Sequence, residues 1–323
     1  MIKVLITGGA GFIPSSLADE LLKEGYYVVL VDNLLTGTIA NVPIHPNCTF
    51  IKCDVNRYND IAPVFTLGQF DYVFHYAAVV GVKRTIEDPI SVLDDIKGIE
   101  NILGLSKNTG VRRVFYSSSS EVYGEPVHLP QHEHTTPLNS KLPYAVVKNV
   151  GEAFFRSYQQ YYSLNYTIFR FFNTYGKKQS VDFVVSKFIR SALTNSDVCI
   201  YGDGTQTRTF CHIGDNIDVT LKALKSDSFV NDVINVGSDI TTTIIELAQL
   251  IIRLSGSSSK IVHLCPLKEG DMTRRQPDIT SMLILLGRQL TPLEKGLAEV
   301  IHYHSSLLSS ANSQAGRAMV EKL

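Results

Sequence analysis

The chain has 323 residues, 44% hydrophobic and 19% charged, with 30 basic against 31 acidic side chains and a net charge of −1. That apolar fraction can fill a core, which excludes a disordered chain, and the even charge balance argues against a nucleic-acid binder. No run is long and apolar enough to span a bilayer, and no signal peptide is expected. Its five cysteines are scattered without a C-x-x-C pair, so a cytoplasmic protein with reduced thiols and no metal centre is expected.

Residues 2–6 read as a buried strand, and 15–24 as a helix with Leu17, Leu21 and Leu22 on one face and Gly25 as its stop. Strands follow at 27–31, 49–53 and 70–74, then a helix at 90–108, a strand at 112–116, a helix at 144–162 and a strand at 166–171. This alternation predicts right-handed βαβ units and a doubly wound, Rossmann-type α/β fold with a mostly parallel sheet. The second half is mixed. Helices are expected at 184–193, 216–224, 243–254 and 292–303, and short strands at 198–200, 233–236 and 261–263. After His304 a Ser- and Ala-rich tail is expected to be frayed or loosely helical.

Thr7-Gly8-Gly9-Ala10-Gly11-Phe12-Ile13 lies between the first strand and the first helix. Gly8 and Gly11 permit a tight turn and close approach to a pyrophosphate, which Phe12 and Ile13 at the helix start would face with free N–H groups. Asp32 and Asn33 close the second strand, where a carboxylate can accept both ribose hydroxyls, and an acid there favours NAD over NADP. Asp54 and Val55 are placed at the adenine edge and Ala77 after the fourth strand. Pro14 stands where a glycine is usual; in the first helical turn it loses no intrahelical bond, so the helix and NAD binding are expected to persist, with the ring fitted against the strand or the cofactor.

Tyr144 and Lys148 fall one helical turn apart on one face, an arrangement in which the ammonium favours the phenolate. The run Ser117-Ser118-Ser119-Ser120-Glu121-Val122-Tyr123-Gly124 lies just past the fifth strand, at the carboxyl end where such sheets carry catalytic groups. With His75-Tyr76-Ala77-Ala78, Phe172-Asn173-Thr174-Tyr175-Gly176 and the segment Tyr201 to Arg208, these motifs resemble the extended short-chain dehydrogenase/reductases. The group resembled is that of the NAD-dependent nucleotide-sugar epimerases, dehydratases and decarboxylases, and the resemblance covers residues 1–303.

The resemblance implies that Tyr144, assisted by Ser119, takes the proton of a sugar 4-hydroxyl while a hydride leaves C4 for NAD, giving a 4-keto sugar. Lys148 would anchor the nicotinamide ribose. Val80, Lys83, Ser120, Asn173, Lys187, Tyr201 and Arg208 would hold the nucleotide sugar, most readily a UDP-sugar, with Arg208 on the pyrophosphate. Residues 1–175 would form the NAD domain, 176–303 a smaller mixed α/β substrate domain and 304–323 a flexible tail, with 210–240 returning to the first domain. The helix bearing Tyr158, Tyr161 and Tyr162 would pair with a second copy as a four-helix bundle in a homodimer.

Glu121 and the segment Gly270 to Ile279, with Arg275 just before Gln276-Pro277, resemble the UDP-glucuronate decarboxylases. Loss of CO2 leaves an enolate that needs a cation and then a proton, needs that Arg275 and Glu121 can meet. The loop Val79 to Arg84 departs from that pattern, which leaves 4-epimerisation next and 4,6-dehydration third. A non-catalytic NAD or nucleotide-sugar binder has Pro14 as its only support. His75 reads as a packed histidine, and His128, His132 and His134 have a spacing that fits no helix face, so no metal is expected.

Overall fold

The computed structural model describes residues 1–80, 88–265 and 275–320. The strands are β1 (Lys3–Thr7), β2 (Tyr27–Asp32), β3 (Cys48–Lys52), β4 (Tyr72–His75), β5 (Arg113–Ser119), β6 (Asn165–Phe171), β7 (Thr174–Tyr175), β8 (Val198–Tyr201), β9 (Thr207–Thr209), β10 (Cys211–His212), β11 (Asp232–Val236), β12 (Thr241–Thr243) and β13 (Ile261–Leu264). The helices are α1 (Phe12–Lys23), α2 (Tyr58–Gly68), α3 (Pro89–Leu93), α4 (Asp95–Thr109), α5 (Pro143–Tyr162), α6 (Val184–Leu193), α7 (Ile213–Lys225), α8 (Ile244–Leu254), α9 (Thr280–Leu286) and α10 (Leu293–Val320).

Seven strands form one sheet in the order β3-β2-β1-β4-β5-β6-β11, with every pair parallel. β1 shows why helices cover both faces. Its side chains alternate, so Leu5 joins a core with α2, α4 and α5 while Val4 and Ile6 join another with α1, α7 and α9. The strand order reverses between β1 and β4, which opens a crevice at their carboxyl ends. A third core joins α6, α8 and α10 to β8, which pairs with β13, while β9 pairs antiparallel with β12. Among the described residues, no helix is long and apolar enough to cross a membrane.

The doubly wound α/β architecture is the one the alternation predicts; several elements differ from the sequence reading. The stretch between the third and fourth strands contains α2, a helix with Pro63 inside it. Proline there removes one backbone bond, and burial of Ile61, Val64 and Phe65 holds the helix together nonetheless. α9 is likewise unanticipated; Met282 and Leu286 bury its short apolar face. The helix expected at 90–108 is divided into α3 and α4, and the last helix continues past His304 through Val320. Lys83, Arg84 and Arg274 lie outside the described residues.

Candidate active site

β1 ends at Thr7, and α1 begins after four intervening residues. Gly8 takes a φ of +68°, and a Cβ there would stand 2.9 Å from the Cα of Ala77, so the turn requires glycine. The Gly11 N–H closes on Gly8 O at 2.9 Å, and the first bond of α1 runs from Ser15 N–H to Gly11 O at 3.2 Å. Phe12 and Ile13 therefore present N–H groups without helical acceptors. Pro14 is the third residue of α1, where its missing N–H removes no bond and the helix forms normally. The Thr7 hydroxyl accepts the N–H groups of Tyr76 and Ala77 at 3.1 and 3.0 Å, which ties the carboxyl ends of β1 and β4 together. Asp32, at the end of β2, accepts Ala10 N–H at 3.0 Å and Leu34 N–H at 2.7 Å. Each oxygen keeps lone-pair capacity for a hydroxyl. A glycine cradle, an open helix N-terminus and a fixed carboxylate at the switch point of a parallel sheet fit a dinucleotide. Nearby, Asn33 is exposed and accepts Leu35 N–H, Asp54 accepts Asn56 N–H, and Val55 O accepts from Asn101 Nδ2.

The four serines past Tyr116 each take a different partner. Ser117 Oγ accepts from Lys148 Nζ at 3.3 Å, and Ser118 Oγ donates to Glu152 Oε1 at 2.7 Å. Ser119 is hydrogen-bonded to the Tyr144 phenol and accepts Glu121 N–H at 3.2 Å. Ser120 Oγ accepts from Arg275 Nη1 at 3.3 Å. Lys148 is 3% exposed, with its ammonium 5.0 Å from the centroid of the Tyr116 ring and 5.7 Å from that of Tyr144. Burial lowers its pKa to about 8, and the Asp95 carboxylate opposes that shift.

The expected lowering of the Tyr144 phenol relies on Lys148 and the positive charge of the cofactor together. The Tyr144 ring keeps some exposure, but its hydroxyl end is deeply surrounded, and burial pushes the phenol well above its ordinary pKa. Glu121 and Asp95 add to the rise, while the Ser119 hydrogen bond and Arg275 oppose it. A positive charge brought beside the phenol lowers it again. His75 is a packed residue: its Nδ1 lies 2.9 Å from Thr7 Oγ1, and burial lowers its pKa to about 3.

Arg275 is 7% exposed and reaches the serine run from far along the chain; its Nη2 donates to Glu121 Oε1 at 2.6 Å. Glu121 Oε2 and Arg275 Nε are buried with no hydrogen-bond partner among the described residues. A carboxylate and a guanidinium with unused bonding capacity can hold and polarise a charged substrate group. Ser119, Ser120, Glu121, Tyr144, Lys148 and Arg275 thus form one cluster.

The remaining residues lie in three places. Asn173 Nδ2 donates to Thr209 O at 3.1 Å, next to Arg208, which is buried on β9 and donates to Thr207 O at 2.8 Å. Lys187 Nζ lies 5.5 Å from the centroid of the Tyr201 ring. Val80 follows Val79, whose N–H donates to Asp95 Oδ2 at 2.7 Å. Sequence reasoning missed Ser117, Thr7 and Asp95. The period of two along β5 could have set Ser117 on the same side as Ser119. Asp95 sits in a helix whose pattern gives one acid no distinction from its neighbours.

Residues 4–237 match the model of the NAD dependent epimerase/dehydratase family. The chain is 34% identical over 305 residues to a putative UDP-glucose 4-epimerase of Methanocaldococcus jannaschii, covering 93% of this chain and 97% of that protein. It is 36% identical over 324 residues to UDP-glucuronic acid decarboxylase 1 of Danio rerio, covering 97% of this chain and 75% of that protein. The solved UDP-glucose 4-epimerase of Thermotoga maritima with UDP-glucose superposes with a TM-score of 0.90 at 30% identity, covering 95% of this chain and 100% of that one. The glycine cradle, the switch-point crevice and the serine–tyrosine–lysine cluster all fall within the matched span. On that ground the chain belongs to the NAD dependent epimerase/dehydratase family and is an enzyme that works with NAD.

Proposed function

We propose that this enzyme decarboxylates UDP-glucuronate through a 4-keto sugar. The observation that carries the reading is the Glu121–Arg275 pair, joined at 2.6 Å beside Ser119 and Tyr144. Tyr144 takes the proton of the 4-hydroxyl, and Ser119 orients that hydroxyl. NAD, when bound, supplies the acceptor for the C4 hydride and its later return. Lys148 holds the nicotinamide ribose. In the 4-keto sugar the carboxylate is β to a carbonyl, so the C5–C6 bond breaks, its electron pair enters an enolate and CO2 leaves. Arg275 offsets the enolate charge. One proton from water then reaches C5 on the face that Glu121 and Arg275 hold.

Asp32, Asn33, Asp54, Val55 and Ala77 take the adenosine end of NAD in this reading, and Asn173, Lys187, Tyr201 and Arg208 take the nucleotide sugar. Residues 1–175 with the returning 210–240 segment serve the cofactor, and 176–303 serve the sugar nucleotide. A homodimer through α4 and α5 of two copies is supported by the exposed Tyr161 and Tyr162 at the end of α5.

A second reading, 4-epimerisation, is supported by the likeness to UDP-glucose 4-epimerases, and makes Glu121 and Arg275 binding groups only. The deciding experiment is mass spectrometry and NMR of UDP-glucuronate incubated with enzyme and NAD. A UDP-pentose or its 4-keto form supports decarboxylation; an inverted C4 at unchanged mass supports the epimerase.

A further inference from the structure

Behind the Glu121–Arg275 pair lies a buried polar network that the reaction chemistry does not use. Glu152 and Arg170, 0% and 1% exposed, are joined by two bonds of 2.8 and 2.7 Å. Arg170 Nη1 donates to Tyr123 Oη at 2.8 Å and to Glu133 O at 2.9 Å, and Tyr123 Oη donates to Asn235 Oδ1 at 2.7 Å. Asn235 sits fully buried on β11. Its Nδ2 donates to Gln131 O at 2.9 Å and to Asp278 O at 3.2 Å. Gln131 in turn grips the Arg275 segment through its backbone: its N–H donates to Gln276 O at 2.8 Å, and its carbonyl accepts Asp278 N–H at 2.8 Å.

The short run from Arg275 to Asp278 is therefore fastened to the sheet through Gln131 and Asn235. A guanidinium held to Glu121 at 2.6 Å tolerates little drift of its own backbone. We propose that Asn235 is a positioning residue that seats Arg275 against Glu121 by donating to Gln131 O and Asp278 O. The proposal rests on the role given to Arg275 above. Loss of the Asn235 amide leaves Gln131 O its bond from Asp278 N–H and leaves the β11–β6 pairing in place, so the fold survives while the segment loosens.

The test uses N235L, N235D, Y123F, R275A and the N235D/R275A double variant, each with NAD, each checked by thermal melting. N235D keeps the acceptor for Tyr123 but loses both donors, so it serves if N235L does not fold. Reduction of bound NAD reports C4 oxidation, and CO2 release reports the later step. For N235L and N235D, oxidation should stay within about twofold of wild type while CO2 release slows about tenfold, the scale of one or two lost hydrogen bonds. In the R275A background N235D should slow CO2 release no further. Y123F keeps both Asn235 donors and should keep the wild-type ratio of the two rates. Equal slowing of both steps, multiplying effects in the double variant, or a changed ratio in Y123F overturns the proposal. If the wild-type enzyme epimerises UDP-glucuronate instead, the decarboxylase reading falls, and the same non-additivity is read in KM for that substrate, where additive effects overturn the positioning role.

Discussion

Burial pushes the polar ends of Tyr144 and Lys148 in opposite directions: the phenol rises and the ammonium falls to about 8. Both shifts favour the uncharged form, so the phenol keeps its proton until a positive charge beside it lowers its pKa, while Lys148 titrates nearer neutral pH. Tyr144→Phe should cut C4 oxidation of UDP-glucuronate by about 10³-fold, read as NADH absorbance; retained NADH formation would remove Tyr144 from the reaction. The Lys148 shift also makes a stability prediction. Its folded pKa of about 8 lies below the ordinary 10.5, so between those values the unfolded chain binds that proton more tightly. Burying the ammonium therefore costs on the order of 3 kcal/mol below pH 8, and the cost fades as pH rises towards 10.5. Cofactor-free Lys148→Met should melt above wild type at pH 7, with a margin that shrinks by pH 10; a margin independent of pH would contradict the assignment. The Tyr144–Lys148 pair is legible in the sequence because one helical turn joins it. The Lys148–Ser117 contact is not, because it crosses from α5 to β5.

At the scale of elements, α1 accommodates Pro14 because the first turn of a helix has N–H groups to spare. Pro14→Ala should leave the Kd for NAD within about threefold, measured by calorimetry, since Phe12 and Ile13 already present free N–H groups at the start of α1. The same change should lower stability by roughly 0.4–1 kcal/mol, because a fitting proline limits the unfolded chain. A tenfold change in Kd would show that the ring shapes the cofactor site. α2 teaches the opposite lesson. Pro63 breaks the helical pattern locally, and only the core against β1 and β2 restores it through Ile61, Val64 and Phe65. Periodicity predicted the long α5 well because its buried face repeats over 20 residues; α9 has 7, too few for the pattern to register.

For the whole molecule, α5 ends in Tyr161 and Tyr162, 84% and 50% exposed. Two adjacent tyrosines turned to solvent support the proposed homodimer. The protein should sediment as a dimer at micromolar concentration, and a variant carrying Glu at both positions should sediment as a monomer; a monomeric wild type would sink the four-helix bundle. The doubly wound fold and the glycine turn were determined by the sequence alone, because both follow from contacts within a few residues: a strand period of two, a helix period of 3.6, and a turn that only glycine can make. The Glu121–Arg275 contact was decided by the tertiary structure, since 154 residues separate its partners. No local period brings them together; the sheet does, by setting β11 one strand away from β5 across β6 and fastening the Arg275 segment through Gln131 and Asn235. The rise of Tyr144 has the same origin, because a residue's own sequence sets its chemistry while the surrounding fold sets how much water reaches it.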